Sequence, residues 1–379
     1  MLLLLGVAVA RSQEDRILDY SGVFYSVSCK GGPCWNVIER IEVQRALLAA
    51  AKAPIGADEL KGLLGKSGPS LTDLELLRMV RRQGDRYQIA FTLLPARDVR
   101  QVRAAAEASA RRLADSLLSR RTEIEAALER YSVPGVDRKD VAFVVLGCFS
   151  LDWDGLNLTK SGGYRSEKGV ARPDGRYIPW AEERLNEPYR SFSQSHSNVR
   201  GDAGAVYFSD GHAPDAFLMS AGQSRAAALR TMLLAMRDGT SNLAALGRAA
   251  GIAPSDAEPM LAELAKRRFV RISEMGHAVN FPVLSKQDGQ MVATLRKIGR
   301  ESITSWLASD YKRIESELAG IAPVRAGVPF TEVFNLVWHH VFGRANAMLI
   351  EAGLFADPYA EGRYWPRYTP AVYWRDLTK

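Results

Sequence analysis

The sequence repeats itself, and that limits the folds open to it more than any other feature. A block over residues 224–318 contains Leu243-Ala-Ala-Leu-Gly-Arg-Ala-Ala-Gly251, Ile252-Ala-Pro-Ser-Asp256, Met260-Leu-Ala-Glu-Leu264 and Arg268-Phe-Val-Arg-Ile-Ser273. An earlier block over 42–128 runs through the same kinds of segment in the same order. A stretch that occurs twice is one supersecondary unit, so each copy tests the reading of the other.

In the first copy an Ala/Leu-rich helix is expected over 42–52, ended by Ala53-Pro54, because proline disfavours helical geometry in the residue before it. A short helix over 58–64 is closed by Gly65, and Lys66-Ser-Gly-Pro-Ser70 makes a turn. The next helix is expected over 71–82, with Leu74, Leu77 and Val80 or Arg81 on successive turns. Gln83-Gly-Asp-Arg86 then turns the chain into a strand over 87–93, where Ile89, Phe91 and Leu93 alternate. The second copy offers helices over 225–236 and 242–250, and a third capped by Ser255-Asp256 with Pro259 in its first turn. Strands over 269–272 and 278–284 follow. Each copy ends in a long helix, over 99–131 and 292–318. Apolar residues recur there every eleven positions, as Val102, Leu113, Ile124 and as Val292, Ile303, Ile314. That period gives a nearly straight stripe, which a second chain or the other copy would cover.

Quieter repetition follows each long helix. Apolar helices over 141–149 and 333–342 lead to Ser161-Gly-Gly-Tyr164 and Ala352-Gly-Leu-Phe355, then to the glycine-aromatic-proline loops Asp174-Gly-Arg-Tyr-Ile-Pro-Trp180 and Glu361-Gly-Arg-Tyr-Trp-Pro366. The N-terminal segment matches both, with an apolar run over 2–10, Ser21-Gly-Val-Phe24, Gly32-Pro33 and Trp35. On this reading the run is a core helix; it lacks the basic flank of an export signal and is too short to span a bilayer. The polar, glycine-rich stretch 186–222 has no counterpart after the second copy, which makes it the place for a function the halves do not share. Five segments result: a connector-like segment 1–35, a first repeat unit with its long helix 36–132, a connector with the polar excursion 133–222, a second unit 223–321, and a C-terminal connector 322–379.

With 47% hydrophobic residues in 379, the chain can bury a sizeable core. Fifty basic against 43 acidic residues leave a net charge of +7, compatible with phosphate contacts but far from a strong nucleic-acid footprint. The three cysteines fit a reducing compartment or incidental use. Cys29 and Cys34 are spaced to close a small loop or to supply half of a metal site, with no second Cys/His pair to complete one.

A short helix, a tight turn, a second helix with a Leu-x-x-Leu stripe and a two-strand ending together resemble a winged helix-turn-helix. In this the chain is similar to the winged-helix superfamily of bacterial regulators, loosely those of the MarR and ArsR type. The resemblance implies a mainly α (α+β) fold of tandem winged helix-turn-helix units, each followed by a long helix and an apolar-helix/aromatic-loop connector, paired as a pseudo-dimer within one chain. It implies double-stranded DNA as partner, transcription regulation and a cytoplasmic setting without membrane attachment, and it leaves room for a small-molecule effector and a homodimer. In such a module the third helix meets base edges and the wing holds phosphates. The candidate DNA-binding residues are therefore Lys66, Arg78, Arg81, Arg82 and Arg86 in the first copy, and Arg248, Lys266, Arg267, Arg268 and Arg271 in the second. Against this, the third helices open on Ser70, Thr72, Asp73, Glu75 and on Ser255, Asp256, Glu258, which are caps and carboxylates and not the Arg, Asn and Gln of base readout.

The competing reading is a non-catalytic protein-interaction or ligand-sensing protein that uses winged helices as scaffold. Tyr177, Trp180, His196, His212, Tyr364 and Trp365 are the candidates to line a ligand pocket; the aromatic ones are equally placed to clamp each unit to the next. A third reading, an enzyme, would use His196, Asn198, Asp202, Asp210, His212 and Asp215, whose spacing matches no metal motif. His339-His340 sits in an apolar helix and reads as a hydrogen-bonded core histidine. No phosphate loop, dinucleotide fingerprint, nucleophile elbow or HExxH occurs, so no catalytic residue, metal or cofactor is expected.

Overall fold

Strand β1 (Leu18–Val27) opens the described part of the chain and leads through a 3-10 turn to α1 (Ile41–Lys52), the short strand β2 (Ile55–Gly56), α2 (Ala57–Leu64) and α3 (Leu71–Leu76). This is a computed structural model, and it describes residues 16–27, 34–166, 170–211, 217–220, 223–274 and 276–378. The expected core helix over 2–10, Cys29, His212 and Asp215 therefore lie outside the described residues. A hairpin of β3 (Val80–Gln83) and β4 (Arg86–Ile89) follows, then β5 (Thr92–Leu94), and helices α4 (Ala96–Leu118) and α5 (Arg121–Leu128). Helix α6 (Arg138–Ala142) runs into a π-helical segment, Phe143–Asp154, and on into α7 (Gly155–Ser161). Strands β6 (Val170–Arg172), β7 (Gly175–Glu183), β8 (Gln194–Arg200) and β9 (Ala203–Ser209) lead to the one-turn helix α8 (Phe217–Ser220). The order then recurs as α9 (Gln223–Arg237), α10 (Leu243–Ala250), α11 (Pro254–Lys266), the hairpin β10 (Val270–Ser273) and β11 (Gly276–Val279), β12 (Val283–Leu284) and α12 (Gly289–Glu317). Helices α13 (Ala322–Arg325) and α14 (Phe330–Glu351) and strand β13 (Tyr368–Trp374) complete a mixed α+β protein.

Several expectations are corrected by what stops each element. The helix expected over 71–82 ends at Leu76, because Arg78 takes up a left-handed φ of 51°. Its N–H reaches Glu75 O and the Met79 N–H reaches Leu74 O, both at 2.9 Å, which closes the helix and releases Val80 and Arg81 into β3. Arg268 does the same at φ 62°, with the Phe269 N–H on Leu264 O at 2.9 Å. Both positions suit glycine, since a Cβ in the left-handed region meets the following carbonyl. Arg78→Gly is accordingly expected to raise the unfolding free energy by about 0.5–1 kcal/mol, read from urea denaturation. Arg268→Gly should gain less, because its guanidinium lies over the Tyr364 ring at 4.8 Å. A lower stability for Arg78→Gly would contradict this account.

The single strand expected over 87–93 is two strands in different sheets. The chain bends after Ile89, where the Ala90 N–H bonds Met79 O, and the bend recurs at Asn280 on Phe269 O, both at 3.0 Å. The first long helix is not continuous; it breaks at Ser119-Arg120, where Ser119 Oγ caps back to Ser116 O at 2.8 Å. Helix α12 runs unbroken. Ser255 and Asp256 lie inside the first turn of α11, whose N-cap is Ala253 with Pro254 at the first helical position.

The connector repeat is also shifted. Residues 175–183 are strand β7, not a loop, and Gly362-Arg-Tyr-Trp-Pro366 is not its equivalent. β7 pairs in parallel with β5, Leu93 opposite Ala181, and β13 pairs in parallel with β12, Val283 opposite Val372. This register matches Arg176-Tyr-Ile-Pro179 with Arg367-Tyr-Thr-Pro370. On its other side β7 takes β1 antiparallel, and β13 takes β9 antiparallel. The stretch 186–222 thus has a counterpart after all: β9 occupies the place that β1 holds, and each repeat starts with that strand. β8 pairs with β9 and has no counterpart among the described residues of the first repeat.

The chain folds into two compact units that cut across its linear order. The first is built within 1–109, 157–189 and 307–341, the second within 110–156, 190–306 and 342–379. Each combines one copy's helices and hairpin with the far end of the other copy's long helix. The core of the first gathers Trp35, Leu47, Leu60, Leu74, Phe91 and Tyr177. In the second, Phe143 packs against Phe192, Phe208 and Phe355 at ring separations of 5.8, 5.0 and 5.4 Å. By length and composition the helical stretch Arg138–Ser161 passes for a membrane span, yet 78% of its apolar window is buried inside the protein, as befits a core helix.

Candidate nucleic-acid interface

The first hairpin is held in a three-stranded sheet, β2-β4-β3, with Ile55 opposite Tyr87 and Val80 opposite Ile89. Its inner residues Val80, Tyr87 and Ile89 are buried. Arg82, opposite Tyr87 on the face of the buried residues, and Arg86, on the other face, both lie beyond the buried part of the hairpin, at either side of the tip, Gln83-Gly84-Asp85, which Gly84 turns at φ 65°. Both arginines are exposed. Arg82 Nε donates to Gly84 O at 2.8 Å and Arg86 Nη1 to Pro54 O at 2.9 Å. Carbonyl acceptors fix a guanidinium without cancelling its charge, so the hairpin tip is a rigid cationic pair.

The second hairpin, β10–β11, keeps the fold and changes the surface. Ile272 stands where Arg82 stands and is 60% exposed, Gly276 stands where Arg86 stands, and Glu274 lies at the tip. Its exposed cations sit elsewhere, at Arg248 on α10 and Lys266 at the end of α11; these two and Lys66 in the α2–α3 turn have no ion-pair partner among the described residues. Arg267 is ion-paired to Glu263 at 2.7 Å and lies 4.3 Å from the Phe217 ring. Arg78 and Arg268 are exposed at the left-handed helix closures. Arg81 and Arg271 are exposed as well, with their guanidinium groups against Gly327 and Gly135. The ten sequence-predicted residues therefore divide into outward cations and anchored ones.

The candidate ligand-lining residues are divided between the two units, with His212 outside the described residues. Tyr177 is fully buried in the first unit, its hydroxyl on both Asp174 carboxylate oxygens at 2.9 and 3.1 Å; burial is the main cause of its raised pKa. Trp180, in the same unit, packs on His339 at 4.8 Å. His196 lies in the second unit on β8, half-buried, where burial lowers its pKa; Trp365 stacks on Phe269 at 5.6 Å and Tyr364 is 52% exposed. These are packing roles. Of the excursion's carboxylates, Asp202 pairs with Arg375 at 3.3 Å and Asp210 with Arg367 at 3.0 Å. Among the described residues no three His, Cys, Asp or Glu side chains are grouped as metal ligands. Cys34 is disulfide-bonded, and Cys148 is free and buried.

Two polar clusters join residues far apart along the chain; the sequence offered His339-His340 as a hydrogen-bonded core histidine, but neither its partner Glu182 nor the second cluster. In the first unit His340 Nε2 meets Glu182 Oε1 at 2.8 Å, while burial drives the His339 pKa down to about 4, its Nδ1 lying 2.6 Å from Asn335 O. In the second, buried Asp154 receives Arg296 Nε and Nη2 at 2.9 and 2.7 Å and Arg300 at 2.9 Å. A cleft of about 400 Å³ beside it is lined by Arg296, Lys297, Arg300, Glu301 and Asp376. Its charges nearly cancel, and Arg296 is further spent on Leu377 O at 2.6 Å, so the cleft reads as the seat of the C-terminal residues. No family model, curated protein or solved structure matches the chain.

Proposed function

We propose that the protein is a cytoplasmic DNA-binding transcriptional regulator whose two helix–hairpin segments are winged helix-turn-helix modules paired within one chain. The observation that carries this reading is the first hairpin's tip, where Arg82 and Arg86 are exposed and, among the described residues, bonded only to main-chain carbonyls. A wing with that chemistry suits the phosphate rails of a duplex. Lys66 in the preceding turn is a third phosphate contact of the same module. Base readout is a small part of the reading, since α3 has six residues and α11 opens on Ser255, Asp256 and Glu258. Binding is therefore dominated by counterion release and is asymmetric between the modules.

A fluorescence-anisotropy titration of a labelled duplex across salt concentrations tests this. The wild-type slope should correspond to several phosphates, and Arg82→Ala with Arg86→Ala should lower it by about two. Absence of binding at low salt would sink the proposal. The second reading, a protein-interaction scaffold, draws its support from Ile272, which is 60% exposed at the position Arg82 holds in the first module. Ile272→Glu would leave duplex binding intact on the first reading and abolish partner capture on the second.

A further inference from the structure

The hairpin arginines Arg81 and Arg271 hold equivalent places in the two copies, next to tips that have diverged completely. Each lies against a glycine in the left-handed region. Arg81 sits over Gly327, φ +77°, where an added Cβ would stand 2.7 Å from Arg81 Nη2. Arg271 sits over Gly135, also φ +77°, where an added Cβ would stand 2.2 to 2.6 Å from the guanidinium atoms. Both glycines belong to the turns that follow a long helix.

The acceptors are neutral in both cases. With its amide oxygen toward the guanidinium, Gln88 on the facing strand accepts from Arg81 Nε and Nη2 at 2.8 Å each. The residue opposite Arg271 is Ala278, and there the guanidinium donates instead to Pro134 O and, at 3.4 Å, to Val279 O. The anchoring partners differ, while the arginine and the left-handed glycine beneath it are present twice. The tip positions beside them, Arg82 against Ile272 and Arg86 against Gly276, show no such agreement.

We infer that Arg81 and Arg271 are positioning residues that tie each hairpin to the turn after a long helix, and that Arg81 serves DNA binding by holding Arg82 and Arg86 in place, not by touching phosphate itself. The part concerning DNA rests on the function proposed above; the tie does not. Side-chain size at Gly327 matters for the same reason: any Cβ there occupies the space of the guanidinium.

The test uses the full chain with Arg81→Ala, Arg81→Lys, Gly327→Ala and Arg82→Ala, read by hydrogen exchange of the first hairpin's amides without DNA and by duplex binding across salt. Loss of the tie should speed hairpin exchange by about tenfold or more in the Arg81 and Gly327 variants. In those variants binding weakens at every salt concentration with an unchanged slope, whereas Arg82→Ala lowers the slope by about one with exchange unchanged. Arg81→Lys separates the two roles, because a lysine would preserve a phosphate contact but not a planar, bidentate one to an amide. Wild-type exchange in Arg81→Ala, or a slope reduced by about one in Arg81→Ala and restored in Arg81→Lys, overturns the inference. If the wild type binds no duplex, the DNA reading fails alone and the exchange arm still decides the tie.

Discussion

Replacing Arg230 by methionine is expected to destabilise the second unit by about 3–5 kcal/mol, although it removes a buried charge, because several buried carbonyls lose their donors at about 1–3 kcal/mol each. Arg230 is fully buried on α9, and none of its partners among the described residues is a carboxylate. Its Nε and Nη2 donate to Leu218 O at 3.1 and 2.6 Å, its Nη1 to Asn198 O and Ala203 O at 3.3 Å each, and its Nη2 also to Asn198 Oδ1. Burial lowers its pKa to about 10, a sign of how poorly the site solvates the charge. What the charge does is satisfy carbonyls from α8 and the β8–β9 hairpin that would otherwise be buried and orphaned. A methionine replaces the apolar stem and leaves them unpaired; Arg230→Lys fails too, because an ammonium cannot reach acceptors spread around a planar fork. Thermal denaturation, with hydrogen exchange over β8 and β9, measures the loss. A methionine variant within about 1 kcal/mol of wild type would mean that water or rearranged backbone satisfies those carbonyls.

The same residue shows where reading a chain linearly stops. The helix expected over 225–236 as the first of the second copy is found over 223–237, but nothing in the sequence marks Arg230 as buried, since a solvated arginine on a helix looks identical. Local signals did well where the cause was local: Gly65 closes α2 at a φ of 67°, as expected of it, whereas Asn242, read as the first helical residue, is the N-cap of α10 and accepts from Ala244 and Ala245. They failed where a residue type broke its own rule. Arg78 and Arg268 close their helices at an angle usually left to glycine, so α3 was read through its own stop into β3. They failed again where a tertiary pairing decided between look-alikes. Gly362-Arg-Tyr-Trp-Pro366 resembles Gly175-Arg-Tyr-Ile-Pro179 more closely than Arg367-Tyr-Thr-Pro370 does, yet only the latter finds the parallel partner strand that makes it the equivalent. At the candidate interface the cations were legible as residue types, and which of them are tied to a distant turn was not, because Pro134, Gly135 and Gly327 are remote in sequence and Gln88 faces Arg81 only once 80–83 is a strand.

Raising the pH from about 4 to about 7 should cost the protein stability through Asp152, and Asp152→Asn should remove that cost. Asp152 is buried in the π-helical segment, and burial lifts its carboxyl pKa to about 7, against a lowering contribution from its hydrogen bond with Ser195. Ser195 is fixed in turn by Trp153, whose Nε1 lies 3.2 Å from the hydroxyl. In the unfolded chain the carboxyl ionises near its ordinary value of 3.8. Between these two values the folded state holds a proton that the unfolded state has lost, so unfolding becomes easier as pH rises, by up to about 1.4 kcal/mol per pH unit. Below the window both states are protonated and the penalty is absent; above pH about 7 it is complete, of the order of 4 kcal/mol. Asparagine is the neutral isostere and carries no such dependence. Measuring both proteins by urea denaturation at pH 4.5, 6 and 8 cancels every other titrating group, including His339, and leaves the difference between them. That difference should shift steadily toward the asparagine variant as pH rises, making it the more stable protein at pH 8. A difference that stays constant across the three values would show that Asp152 is ionised in the folded protein throughout, with water or a cation reaching it inside the π-helical segment.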